Sequence, residues 1–241
     1  MGTPIFEIFK YALLSTVGIL AGGLLALYRP PGPWLRGFLL YFSAGVIISV
    51  VAVEILPDIV RRHAPWQVAL GFSLGVALMF SVKHFSEKLE TKTTGEASLP
   101  WGIIVAGGID EMLDGLLLGI GFAVGQKEGI LLSCGLAVEV FTFSLAVTAT
   151  LRSKNISRSK TFGAITVMAA CFLIGTLLGI TFLKGLSSEM LEFILSFGLA
   201  ALLYLVTDEL LAEAHEMEET PGMTVAFFGG FLIFLILGMV A

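Results

Sequence analysis

Residues 101–125, WGIIVAGGIDEMLDGLLLGIGFAVG, form an apolar run long enough to cross a bilayer. Asp110, Glu111 and Asp114 sit at its middle, and no Lys or Arg lies within it. A carboxylate near the centre of a spanning helix costs about 2.5–3.5 kcal/mol on insertion scales. Three within little more than one turn require something that offsets that cost: protons, a partner on another helix, water or a bound cation. The rest of the chain has to supply it.

Composition says what surrounds this run. Of 241 residues, 56% are hydrophobic and only 14% are charged, where a soluble domain carries about 25%; the mean hydropathy is +0.95. Apolar runs of spanning length recur along the whole sequence, so the expected fold is an all-α integral membrane protein with little room for a soluble domain. The 28 glycines suit close helix packing in lipid. The net charge of −5 resides mainly in loops, and no nucleic-acid partner is expected. Cys134 and Cys171 are isolated in apolar segments and read as small buried residues, not as a disulfide or a C-x-x-C site.

Eight spans are expected, at about 5–28, 34–60, 66–88, 101–125, 130–151, 161–183, 189–212 and 223–241, together forming one transmembrane domain over 1–241. The first is too long for a signal-peptide core and has no A-x-A-like site after it, so it is expected to be retained. A polar linker at 89–100 joins the third and fourth spans. Gln126–Gly129 reads as a short turn, 152–160 as a basic loop and 213–220 as an acidic loop. Trp34, Trp66 and Trp101 each open a span, as interfacial anchors do. Placing the N-terminus outside puts Arg29, Arg36, Lys83, Lys88 and Lys92 in cytoplasmic loops, with the basic loop at 152–160. Arg61, Arg62, Lys127 and Lys184 then lie outside. That bias predicts both termini outside, with 89–100 cytoplasmic.

The chain also repeats itself weakly. Phe42, Glu54, Leu56 and Asp58 of the second span match Phe197, Glu209, Leu211 and Glu213 of the seventh at a constant offset, and Glu111 in GGIDEMLDG matches Glu139 in GLAVEVFTF. Spans two and seven enter the membrane from opposite sides, as do four and five. This is the pattern of inverted repeats in secondary transporters, which place the substrate site near the midplane.

Asp110 and Asp114, four residues apart, share a helix face, and Glu111 points about 100° away. Glu139 lies mid-span in the next helix, an antiparallel neighbour. Asp110, Glu111, Asp114 and Glu139 are therefore the candidate metal ligands, four carboxylates expected to converge at one depth. Hard oxygen donors without His or Cys suit Mn, Mg, Ca or ferrous iron better than a His/Cys zinc site. The same residues would also serve a proton relay, or hold neighbouring helices together in protonated form.

At this point the residues resemble the ZIP family of divalent-metal transporters. The fourth-helix motif of that family, His-Asn-x-Pro-Glu-Gly-Leu, has its counterpart in Asp110-Glu111-Met112-Leu113-Asp114-Gly115-Leu116. The fifth-helix motif falls on Val138-Glu139-Val140-Phe141-Thr142-Phe143. The seventh-helix ending appears as Glu209-Leu210-Leu211-Ala212-Glu213, and its second-helix counterpart as Glu54-Ile55-Leu56-Pro57-Asp58. The resemblance covers essentially the whole chain. It implies eight helices with inverted repeats in a ZIP-like bundle, termini outside a plasma or bacterial inner membrane, a homodimer, and a two-metal site built on helices four, five and six. Asp110 and Asp114 match the His and Glu of the first metal position, and Glu111 and Glu139 match ligands of the second. The chain departs from the pattern at Thr142 and Phe172, where the family has ligands, and at Leu113 and Phe141, where it has prolines. One metal, or altered selectivity, is the resulting expectation.

The function this implies is transport of a divalent cation such as zinc, manganese or iron. Glu54, Asp58, Asp208, Glu209, Glu213 and His215 are candidate pathway residues, although positions near helix ends also permit simple solvation; His84 reads as interfacial. Two other classes compete. A non-transporting metal-binding or regulatory membrane protein would account for Thr142 and Phe172. An intramembrane hydrolase could use paired aspartates, but neither H-E-x-x-H nor Gly-x-Gly-Asp is present.

Overall fold

The computed structural model describes all residues except 1–4, 93–100, 183–186, 216, 218, 219 and 241. The described residues form eight long helical segments: α1 (Ile5–Tyr28), α2 (Pro33–Arg62), α3 (Pro65–Lys92), α4 (Trp101–Val124), α5 (Gln126–Ser153), α6 (Arg158–Phe182), α7 (188–215) and α8 (Pro221–Val240). Seven are long and apolar enough to cross a membrane. The eighth, α4, matches them in length at 24 residues but carries the three carboxylates. The chain is an all-α membrane bundle, and α4 is held inside it.

Several helix bounds differ from the sequence expectation. The connection between α4 and α5 is Gly125 alone, in extended conformation; Gln126–Gly129 is already the first turn of α5, where Glu128 favours the helix N-terminus. Residues 89–92 continue α3, and the rest of the expected linker, 93–100, lies outside the described residues. The basic loop shortens to Lys154–Ser157. Asn155 adopts φ 58° there, and the Ile156 amide returns to the Leu151 carbonyl at 3.2 Å. The acidic loop loses its first three residues to α7, which runs to His215.

The strongest helix pairings are α4 with α6, α1 with α5, α2 with α8 and α3 with α7. Glycines form these seams. A methyl group at Gly115 would overlap the Phe172 carbonyl, and one at Gly175 the Met112 carbonyl. Gly119 and Gly179 meet directly. Gly22 faces the Phe141 carbonyl, Gly71 that of Phe193, and Gly45 that of Phe227. In lipid, where apolar surface gains little by turning inward, backbone approach of this kind is what draws helices together. Gly18/Gly22, Gly71/Gly75, Gly115/Gly119 and Gly175/Gly179 all have G-x-x-x-G spacing.

The pairings also carry the repeat. Exchanging α1 with α6, α2 with α7, α3 with α8 and α4 with α5 maps the four pairings onto themselves. Gly75 meets the Phe197 carbonyl and Gly230 that of Phe42; both contacts lie at the 155-residue offset that relates Glu54 to Glu209. At matching positions α2 and α7 each widen into a π turn, Val51–Ile55 and Leu205–Leu210. A π turn inserts one residue into the ladder and re-aims the side chains beyond it. One holds Glu54, and the other holds Asp208 and Glu209. Pro57 comes just after the first, whereas Ala212 stands at the matching place after the second, so proline is not what sustains the widening.

These seams give a direct test. Gly175→Val places carbon on the Met112 carbonyl and is expected to abolish monodisperse, folded protein in detergent. Gly229→Ala, where a methyl group meets nothing within 4 Å, should change stability by no more than about 0.5 kcal/mol. Size-exclusion profiles and thermal unfolding of the two variants would show the contrast.

Candidate metal centre

The seam between α4 and α6 fixes how α4 can rotate. With Gly115 and Gly119 turned to α6, the side chains of Asp110 and Asp114 face α5, where Glu139 comes up one helix away. One oxygen from each of Asp110, Asp114 and Glu139 lies within 4.8 Å of the other two. Oxygens around a cation bound at about 2.1–2.5 Å are separated by about 3–5 Å, so this trio has the dimensions of a cation site. All three residues are at most 3% exposed. No other described residue donates to Asp110 Oδ2, Asp114 Oδ2 or either Glu139 oxygen, and Asp114 and Glu139 stand within hydrogen-bond reach of each other, where a shared proton would join them. Buried oxygens of that kind are costly unless a proton or cation takes them up.

Glu111 is as deeply buried, and both its oxygens also lack a partner, but it does not join the trio. The 100° between neighbours on a helix carries it away from Asp110 and Asp114. Of the four expected carboxylates, three come within cation-site distance, and Glu111 lies outside that group but near enough to act electrostatically on all three. Thr142 donates its hydroxyl to the Val138 carbonyl at 2.9 Å. Phe172 is fully buried, and Thr176, one turn on, bonds back to the Phe172 carbonyl at 3.0 Å.

Two pockets flank the trio along α4. On one side Ala106 and Gly107, one turn before Asp110, floor an open pocket of about 380 Å³ with Phe143, Val147, Asp208 and Glu209. Glu209 is close enough to act electrostatically on Asp110 and Asp114. On the other side Leu117, one turn after Asp114, packs with Ile120 and Leu132 around a cavity of only about 30 Å³, bordered by Glu54, Asp58 and Glu128. Glu54 and Glu209 thus stand at matching places on opposite sides of the trio. The pocket on the Glu209 side is wide and open, and the cavity on the Glu54 side is small and lined largely by apolar side chains; the trio itself lines neither.

The remaining candidates lie at the mouths. Asp58 pairs with Arg62 at 3.0 Å. Asp208 pairs with Lys83 at 2.6 Å, and Glu213 pairs with Arg36, which also donates to the Thr150 hydroxyl at 2.9 Å. His215 places Nδ1 2.6 Å from the Leu211 carbonyl and its ring against Tyr41, away from the trio. Sequence reasoning did not find the pairings of Lys83 and Arg36, because each joins residues more than a hundred positions apart. It also passed over Gly71-Phe72-Ser73-Leu74-Gly75, which spells a nucleophile motif. That motif needs a strand-to-helix turn. Here it is mid-helix, its glycines packed on α7 and Ser73 on the outer surface.

Known proteins point the same way. Over 234 residues the chain is 27% identical to the zinc transporter ZupT of Corynebacterium aurimucosum, with 88% of each chain covered. Over 127 residues it is 28% identical to the zinc transporter GufA of Myxococcus xanthus, covering 52% of this chain and 50% of that protein. Both relatives are named as zinc transporters, and the similarity supports a relationship to the ZIP family. No family model matches the chain.

The unpartnered oxygens predict an unusual mutational response. In cation-free protein Glu139→Met should be at least as thermally stable as the wild type, because it removes two unsatisfied buried oxygens. Leu136→Ala, in the same helix and fully buried, should lose about 2–5 kcal/mol. Thermal unfolding in detergent with a chelator present distinguishes the two.

Proposed function

We propose that this chain carries divalent metal ions across a membrane through the carboxylates of Asp110, Asp114 and Glu139. The observation that carries the reading is the trio itself: three buried carboxylates whose oxygens come within cation-site distance, unpaired by any basic side chain among the described residues. Both curated relatives are named as transporters and neither as an enzyme. A hydrolase built on the paired aspartates finds no support there.

In this reading the metal is cargo. It enters past Glu54 and Asp58 when the apolar seal at Leu117, Ile120 and Leu132 opens, is held by the trio, and leaves past Glu209 through the open pocket. The two π turns stand where α2 and α7 would bend. With basic loops cytoplasmic, the open pocket faces the cytoplasm and both termini lie outside a cell membrane. Zinc, manganese and ferrous iron are the candidate cargoes. The all-carboxylate donor set discriminates among them less sharply than His and Cys donors do. A second reading, a membrane protein that binds metal without transporting it, is favoured by one observation: Thr142 spends its hydroxyl on the Val138 carbonyl, so α5 contributes one carboxylate and no second ligand.

Purified protein in liposomes decides between them. Uptake of Zn, Mn, Fe, Co, Ni, Cd and Mg would be measured with and without a proton gradient. Asp114→Ala and Glu139→Ala should each lower uptake at least a hundredfold while the protein still inserts. Wild-type rates in both variants would sink the assignment, and binding without flux in the wild type would select the second reading.

A further inference from the structure

The open pocket carries three acidic side chains, Asp208, Glu209 and Glu213, and the lysine Lys83 in its wall. Lys83, from α3, reaches Asp208 at 2.6 Å; Arg36, from α2, reaches Glu213 and is braced by Thr150 of α5 at 2.9 Å. Both pairings cross between helices, and both stand beside the acid that faces the trio. Glu209 forms no ion pair among the described residues, although Lys83 is near enough to act on it. The sealed side has no interhelical ion pair among the described residues: Asp58 pairs with Arg62 of its own helix, and Lys127 acts on Glu54 while bonded to the Gly238 carbonyl at 3.1 Å. The repeat places Gly238 where Lys83 stands and Leu191 where Arg36 stands.

We infer that Lys83 and Arg36 are tethered counter-ions of the exit pocket, present to stop Asp208 and Glu213 from joining Glu209 in capturing the cation that leaves the trio. This inference rests on the transport reading. Three free carboxylates in one pocket would retain a divalent ion; one free carboxylate, flanked by two neutralised ones, attracts it only in passing. The open pocket is already wide, so the pairs do not act by closing it. A transporter's exit must bind weakly enough for the ion to leave. A side-chain ammonium fixed at contact distance neutralises a carboxylate without diffusing away, which no dissolved cation does.

The test measures bound Mn²⁺ by equilibrium dialysis on the full-length purified protein, and Mn²⁺ uptake in liposomes, for the wild type, Lys83→Gln, Lys83→Arg, Arg36→Gln and the double variant Lys83→Gln with Asp208→Asn. Lys83→Gln should retain about one additional Mn²⁺ per chain and lose uptake at least about fivefold, the least that one unit charge at about 4 Å is worth, which is its value in bulk water. Lys83→Arg should not gain the extra ion, and the double variant should lose it again and regain uptake. Arg36→Gln asks the same question at Glu213, and answers it should Lys83→Gln fail to fold. Unchanged Mn²⁺ binding in both neutralised variants overturns the inference, as does faster uptake, which would make the pairs a latch. Either result with normal wild-type binding leaves the trio's role standing. A wild type that binds no Mn²⁺, or binds it equally after Asp114→Ala, overturns the transport reading and this inference with it.

Discussion

Close backbone contact between glycine-bearing helices is the constraint on which the rest of this structure depends. In lipid the apolar effect does not choose which face of a helix turns inward, so α4 needs another reason to present Asp110 and Asp114 to α5. Gly115 and Gly119 provide it by locking the opposite face onto α6, where Gly175 and Gly179 answer them. With that seam fixed, rotation of α4 by even one residue would carry the carboxylates out of reach of Glu139. The polar centre is thus set by a contact that contains no polar side chain.

The same logic, repeated, builds the bundle. Four pairings related by one exchange of helices give the protein two similar halves, and the centre lies between them. The halves are not equivalent in detail. Matching acids Glu54 and Glu209 flank the trio, but one faces a pocket of about 30 Å³ and the other a pocket of about 380 Å³. Among the described residues, only the larger has interhelical ion pairs, Lys83 with Asp208 and Arg36 with Glu213; at the smaller, Lys127 of α5 reaches the Gly238 carbonyl and acts on Glu54 from a distance. A carrier built from two similar halves needs a difference of this kind: identical pockets would be open, or closed, together.

The centre itself is chemically spare. Where the family pattern supplies histidine, this chain has Asp110, and where it supplies further ligands it has Thr142, bonded to its own helix, and Phe172, packed in the seam. The sixth-helix position that the resemblance would make a ligand holds a ring, and its backbone belongs to the α4–α6 seam. Phe172 offers its backbone carbonyl to Gly115, and its ring is fully buried.

The sequence by itself determined the fold class, because apolar runs of spanning length admit no soluble alternative. It determined that Asp110, Asp114 and Glu139 belong together, because a four-residue spacing and a short connection between helices leave them few other places to be. It showed the repeat between the second and seventh helices, through a constant offset. It did not exclude Glu111 from the trio, since only the rotation of α4 against α6 decides which of three adjacent acids faces Glu139. The G-x-x-x-G spacings were legible, but their partners were not. Nor could the sequence show Lys83 against Asp208 or Arg36 against Glu213: those pairs are 125 and 177 residues apart, and a side chain finds such a partner only once the helices between them have packed.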